Sequence, residues 1–131
     1  MEKKILIVGD DEVCRKAIEN FAKKNNIASD SAGSGSEAVE KIKAFPTYSL
    51  ILIDINMPGM DGYETAKALK EAVGDSLGKM VVMSGGKFIF FLNFFLDELD
   101  EAEYTSKGFC HYIQKPVGKK SFEKLINDLQ I

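Results

Sequence analysis

The chain has 131 residues, of which 45% are hydrophobic, and this combination predicts one folded domain rather than a disordered segment. A net charge of −3 with scattered basic residues argues against a surface that binds nucleic acid. The two cysteines lack the spacing of a metal site or a disulfide framework, and no apolar stretch is long enough to cross a membrane. We therefore expect a cytoplasmic protein with reduced cysteines and no membrane contact.

Predicted strands and helices alternate along the chain. Apolar runs bounded by turn residues predict strands at 5–8, 27–32, 48–53, 79–83 and 110–114. Apolar residues at helical spacing predict a helix after each strand, with the fourth helix over most of 88–106. Five strand–helix repeats indicate an α/β fold, in which one five-stranded parallel sheet is doubly wound and has helices on both faces.

Polar side chains suited to chemistry stand at the ends of four of these strands. They are Asp10, Asp54, Ser84 and Lys115. Each one alone is an ordinary turn or surface residue, but the carboxyl ends of parallel strands meet at one edge of a sheet, where ligands bind. Two carboxylates at that edge favour Mg²⁺, and a lysine and a hydroxyl can stabilise a phosphoryl group on one of them. The pattern therefore predicts a phosphoryl-transfer site.

These residues resemble the response-regulator receiver family of two-component and chemotaxis signalling. The resemblance covers nearly the whole chain and is most specific in segment 50–62 and in the Lys115–Pro116 pair. It implies a (βα)5 flavodoxin-like receiver fold, with 1–131 as a single domain and no output domain. It also implies a signalling protein rather than an enzyme, one that assists its own phosphorylation and dephosphorylation.

The resemblance assigns a role to each residue at the edge of the sheet. Asp54 would be the phosphoacceptor, supplied by a sensor histidine kinase or a phosphotransfer protein. Asp10 would bind Mg²⁺ together with Asp54 and the backbone carbonyl of Asn56. Lys115 would pair with the phosphate, and its bond to Pro116 would be cis.

The resemblance further implies a switch that links the phosphate to a protein-binding surface. The Ser84 hydroxyl would move onto the phosphate, and Tyr112 would swing inward with it. Tyr112 also has the ordinary interpretation of a strand aromatic, which stays open. A downstream protein target, or a second copy of the chain, would bind the face made by the fourth helix, fifth strand and fifth helix.

The first departure from the family pattern lies after the first strand. The family has two adjacent acidic residues there, and counting along the chain places Gly9 at the first position and Asp10 at the second. A shift of one residue would instead make Asp10 and Asp11 the pair. With Gly9 in place, we expect weaker Mg²⁺ binding, for which Asp11 or a water could compensate.

The second departure is an enlarged, Phe-rich region at 87–107, around the fourth helix. On a helical wheel Phe90 and Phe94 fall opposite the apolar face, so they predict a surface for a protein partner or a dimer. An altered loop path that covers both rings is the alternative.

Two other functions remain open for the sequence. A pseudo-receiver would keep the fold and bind proteins without phosphorylation, an interpretation that Gly9 favours. A nucleotide- or flavin-binding enzyme is suggested only by Gly33-x-Gly35-x-x-Ala38, which formally fits a dinucleotide fingerprint with Asp54 at about the right distance. The signal is weak because the preceding strand is short and polar and because Asp54 belongs to a better-fitting motif.

Overall fold

A computed structural model describes residues 3–85 and 101–131. Its five parallel strands form one sheet in the order β2-β1-β3-β4-β5. The strands are β1 Lys4–Val8, β2 Ala28–Ala32, β3 Leu50–Asp54, β4 Lys79–Ser84 and β5 Phe109–Gln114. The α-helices are α1 Glu12–Lys24, α2 Gly35–Ala44, α3 Gly62–Val73, α4 Glu101–Ser106 and α5 Lys119–Asp128, with a 3-10 turn at Gly74–Ser76. The predicted parallel α/β sheet is confirmed.

Two apolar cores lie on opposite faces of the sheet, because alternate side chains of a strand point to opposite sides. In β1, Leu6 and Val8 belong to the core that packs under α2, α3 and α4, whereas Ile5 and Ile7 belong to the core under α1 and α5. All four side chains are fully buried. Helices on both faces, as the sequence predicts, account for the continuous apolar runs in β1 and β3.

The path of the β3–α3 loop is set by the N-terminal cap of α3 and by the close packing of Gly62 on the end of β3. Asp61 caps α3 through a reciprocal pair of hydrogen bonds with Glu64, which satisfies free amide groups at the helix N-terminus. Gly62 packs on the backbone of Asp54, where an added Cβ would lie 2.6 Å from the Asp54 carbonyl oxygen. Only glycine permits this approach, so the loop that follows Asp54 has a fixed path.

Gly35 of the formal dinucleotide fingerprint is explained by helix packing. It is the first residue of α2 and is buried. A Cβ there would overlap the Thr65 hydroxyl and lie 2.7 Å from the sulfur of Met60, so α2 and α3 can approach only through glycine. The adjacent Gly33 donates its amide to the Glu37 carboxylate at 2.8 Å. These contacts give the glycines a structural function and leave the nucleotide interpretation without support in the geometry.

The predicted fourth-helix region is described only in part. Residues 87–100 of the Phe-rich region 87–107 lie outside the described residues, and so do Phe90 and Phe94. The surface predicted for these two side chains remains a prediction. Within the described ranges, none of the helices is long and apolar enough to cross a membrane.

Candidate functional site

Asp54 and Lys115 form an ion pair at the carboxyl edge of the sheet. Asp54 is the last residue of β3 and is only 3% exposed. Lys115 follows β5, and its Nζ lies 2.7 Å from Oδ2 of Asp54. A buried carboxylate is costly unless it is paired and hydrogen-bonded. The lysine therefore compensates the charge of a carboxylate that is almost completely buried.

The second oxygen of Asp54 is held by the backbone of the following loop. Oδ1 accepts a hydrogen bond from the amide of Asn56 at 3.0 Å. Both carboxylate oxygens thus have a donor, and the orientation of the group is fixed from two sides. Asn56 itself is exposed at the rim of the site.

Ser84 and Lys115 are joined through the backbones of neighbouring strands. Ser84 is the last residue of β4, rather than the residue after it, and is 5% exposed. Its carbonyl accepts from the Lys115 amide at 2.7 Å. The lysine stem passes Gly85, where an added Cβ would lie 3.8 Å from Cε. The Lys115–Pro116 peptide bond is cis, as the resemblance implied.

Gly9 lies directly beside Asp54. A Cβ on Gly9 would be 3.5 Å from Cβ of Asp54 and 3.7 Å from Oδ2, which are ordinary contact distances. Asp10 comes next and is exposed. Asp11 caps α1, since its Oδ1 accepts from the amides of Val13 and Cys14 at 2.9 Å and 3.3 Å. The geometry therefore favours the alignment with Gly9 at the first acidic position. In this structure the Asp11 side chain serves as the N-cap of α1.

The oxygen donors at this edge fit Mg²⁺, which binds proteins through one or two carboxylates and keeps several waters. Asp10 and Asp54 are such carboxylates, and the glycine at position 9 places no side chain of its own beside Asp54, whose Oδ2 is contacted by Lys115. In the described part of the chain, no group of three or more His, Cys, Asp or Glu side chains could hold a metal ion. The described residues therefore contain no site with three or more such side-chain ligands, as a structural zinc site would have.

Tyr112 lies on β5, where it packs half-buried against Tyr104 of α4. The two ring centroids are 6.2 Å apart and the planes are inclined by 33°. Burial raises the pKa of Tyr104, and the nearby Glu101 adds to this shift. Sequence reasoning singled out Tyr112 but not Tyr104, because no pattern in the sequence pairs a helix residue with a strand residue eight positions later.

Two residues of α1, Cys14 and Arg15, reach this edge of the sheet, and neither was predicted to be part of the site. Arg15 donates from Nη1 to the carbonyl of Gly9 at 2.6 Å. Cys14 is half-buried, and burial raises the pKa of its thiol. The positive charge of Lys115 opposes this shift, whereas the carboxylates of Asp11 and Asp54 add to it. Arg15 could have been noticed as the one arginine of the chain.

An acidic side chain, a lysine and a hydroxyl thus converge at the ends of three adjacent strands in a 2-1-3-4-5 sheet. The sequence matches the response regulator receiver domain family over residues 5–127. The chain belongs to this family. Its receiver fold is also that of the chemotaxis protein CheY4 of Vibrio cholerae, whose structure superposes with a TM-score of 0.80 at 19% identity over 98% of this chain and 99% of that one.

Relatives of this receiver include both short and long proteins. The chemotaxis protein CheY of Halobacterium salinarum is 29% identical over 129 residues, which are 98% of each protein. The transcriptional regulatory protein ResD of Bacillus subtilis is 39% identical over 71 residues, which are 53% of this chain but only 29% of ResD. The receiver domain of two-component response regulators is the part that these proteins share, so the activities of longer relatives do not transfer.

Proposed function

We propose that this receiver accepts a phosphoryl group on Asp54, in a Mg²⁺-dependent reaction, and thereby changes its binding to a protein partner. The observation that carries the proposal is the 2.7 Å pair between Lys115 and Asp54, which places an ammonium group beside a nearly buried carboxylate at the carboxyl edge of the sheet. A charged carboxylate is the nucleophile that phosphoryl transfer requires. Family membership supports the same reaction without testing it in this chain.

In the proposed reaction a carboxylate oxygen of Asp54 attacks the phosphorus of a phosphohistidine. The new bond joins oxygen to phosphorus, the phosphorus–nitrogen bond breaks, and the histidine leaves as an imidazole that takes a proton. The donor belongs to a sensor histidine kinase or a phosphotransfer protein. Bound Mg²⁺ supplies positive charge to the phosphoryl oxygens.

Side chains of this chain then stabilise the acyl phosphate. The ammonium of Lys115 moves from the carboxylate to a phosphoryl oxygen, which keeps its charge compensated. Ser84, beside Lys115 at the end of β4, donates its hydroxyl to the phosphate. Asp10, Asp54 and the backbone carbonyl of Asn56 would hold the Mg²⁺, and the cis bond to Pro116 is compatible with this arrangement.

Movement of Ser84 is proposed to reach the protein surface through Tyr112, which lies half-buried beside Tyr104. The switch would be an equilibrium between two packed arrangements of this region, and phosphorylation would shift the equilibrium towards one of them. The face of α4, β5 and α5 then binds a downstream protein or a second copy, with no direct contact to nucleic acid. This function places the receiver in the cytoplasm, where its kinase acts.

The test is intact-mass spectrometry after incubation with acetyl phosphate, with and without Mg²⁺. We expect one phosphoryl adduct that needs Mg²⁺ and is lost in Asp54→Asn. Asp75→Asn is the matched control, because Asp75 is an exposed carboxylate on the 3-10 turn and should leave the adduct intact.

The second candidate is a pseudo-receiver that binds proteins without phosphorylation, and Gly9 beside Asp54 is the observation that favours it. Absence of any adduct, together with failure to bind beryllofluoride, would reject phosphorylation and support this candidate. An adduct that persists in Asp54→Asn would place the chemistry on another residue.

A further inference from the structure

Arg15 ties the first turn of α1 to the end of β1. Its Nη1 donates to the carbonyl of Gly9 at 2.6 Å, a short distance of the kind that a charged donor gives. The guanidinium also lies against the end of β2, since a Cβ on Gly33 would be 3.6 Å from the same nitrogen. The contact is partly buried, so water competes for it less than at an open surface.

The Gly9 carbonyl belongs to the peptide plane that carries Asp10. A peptide unit is rigid and planar, so fixing the direction of one carbonyl also fixes the next amide and the next Cα. The amide of Gly9 is held separately, by the carbonyl of Ala32 at 3.0 Å. Together the two hydrogen bonds fix the peptide plane that carries the Cα of Asp10, and so restrict where its side chain begins.

This restraint matters because position 9 is glycine. Glycine has the widest backbone freedom of any residue, and with no side chain it cannot be packed in place. The receiver pattern implied an acidic residue at this position. A loop that loses that side chain needs another contact to keep Asp10 in one orientation, and the structure provides only the two hydrogen bonds of Gly9 among those described.

We infer that Arg15 is a positioning residue for Asp10, which it presents to Mg²⁺ by clamping the Gly9–Asp10 peptide. The inference rests on the proposed function, because it assumes that Asp10 binds the cation. Two effects of Arg15 oppose each other. Its charge repels a cation, whereas its hydrogen bond orders a ligand of that cation. Loss of Arg15 therefore weakens Mg²⁺ binding if positioning dominates and strengthens it if charge dominates.

The experiment is a titration of the full chain with MgCl₂, followed by the amide NMR signals of Gly9 and Asp10. We expect Arg15→Ala to weaken the Mg²⁺ affinity by about tenfold, the size found when partners that orient metal ligands are removed. Arg15→Lys keeps a donor and a charge and should recover part of the loss. Arg15→Met keeps part of the side-chain stem but removes the donor and the charge, and it serves as the test variant if Arg15→Ala does not fold.

The matched control is Lys16→Ala, which removes a positive charge from the next residue of α1. Lys16 is exposed, and its ion pair within the described residues is with Glu12 at 3.9 Å. We expect this variant to bind Mg²⁺ as tightly as the unmodified protein, or slightly more tightly. Equal weakening in Lys16→Ala and Arg15→Ala would overturn the inference, because a general loss of helix stability would then explain both.

A double-mutant cycle tests whether Arg15 acts through Asp10. In an Asp10→Asn background, Arg15→Ala should change the affinity much less than it does alone, because the positioned carboxylate is already gone. An unchanged effect in that background, or unchanged or tighter binding in Arg15→Ala itself, would refute the positioning role. If the unmodified chain shows no Mg²⁺ response at all, the proposed function fails instead.

Discussion

Replacement of Lys115 by methionine tests the physical basis of the site, independently of any phosphodonor. Methionine keeps much of the lysine stem but removes the ammonium that lies 2.7 Å from Oδ2 of Asp54. The Asn56 amide would remain as the one described hydrogen bond to the carboxylate. Asp54 would then be a buried charge without its counter-ion, and we expect the folded state to lose stability.

The expected loss follows from the burial of the two partners. The Asp54 side chain is 4% exposed and the Lys115 side chain 22% exposed, so the pair is mostly but not fully removed from water. Breaking a fully buried pair by removing one partner costs about 3–5 kcal/mol, and partial access of water at the lysine end reduces this to about 2–3 kcal/mol. Asp54→Asn should cost less, since the freed lysine can turn into solvent whereas the freed aspartate cannot.

The assay is urea unfolding followed by far-UV circular dichroism, because the chain has no tryptophan to serve as a fluorescent probe. Lys115→Met, Asp54→Asn and the double variant form a cycle. We expect the double variant to be at least about 1 kcal/mol more stable than the sum of the single changes predicts, since it leaves no unpaired charge. Additive losses, or a Lys115→Met variant as stable as the unmodified chain, would refute the argument.

Three further changes address other parts of the structure. Gly9→Asp adds a carboxylate at ordinary contact distance from Asp54. NMR titration should then show about tenfold tighter Mg²⁺ binding, because a unit charge about 5 Å from a divalent cation contributes about 1–2 kcal/mol even at the dielectric of water. Gly35→Ala should destabilise the fold by about 1–3 kcal/mol in urea unfolding, since its Cβ would overlap α3. Tyr48→Phe removes the 2.6 Å hydrogen bond to Asp30 and should cost about 1 kcal/mol at neutral pH. Burial raises the pKa of Asp30, but the hydrogen bonds from Tyr48 and Lys4 outweigh this effect and leave the pKa lowered. The stabilisation from these bonds is therefore present above the pKa that Asp30 has in the unfolded chain, and the cost of Tyr48→Phe should shrink as the pH falls below that value.

The sheet could be predicted from the sequence because its strands carry their own signal. β1 and β3 are continuous apolar runs, and the structure buries every residue from Leu50 to Asp54. β4 and β5 were predicted slightly too short. Ser84 is polar and does not extend the apolar run of β4, and the predicted β5 omitted Phe109 because it follows the turn residue Gly108, yet ladder pairing includes both. Pairing between strands is a tertiary effect that a local pattern does not contain.

The candidate site was predictable where its residues end strands and not where side chains arrive from other elements. Asp54 and Lys115 are 61 positions apart, yet the rule that parallel strands share a carboxyl edge places both at one edge. The reach of Arg15 back to Gly9 follows no such rule, because it depends on a rotamer and on the entry angle of α1. For the same reason the sequence left Asp11 open as a metal ligand, whereas the structure uses it as the N-cap of α1.

The charges at this edge show what Gly9 changes. Asp10 and Asp54 contribute two negative charges, Arg15 and Lys115 contribute two positive ones, and the Asp11 carboxylate is bound to the amides at the start of α1. An acidic residue at position 9 would add one more negative charge beside Asp54, which a bound cation would compensate. With Gly9, the Asp54 carboxylate of the unphosphorylated receiver already has a counter-ion in Lys115. The proposed Mg²⁺ is then required chiefly when the phosphoryl group brings its own negative charge, and its binding should strengthen at that step more than in receivers with two acidic residues.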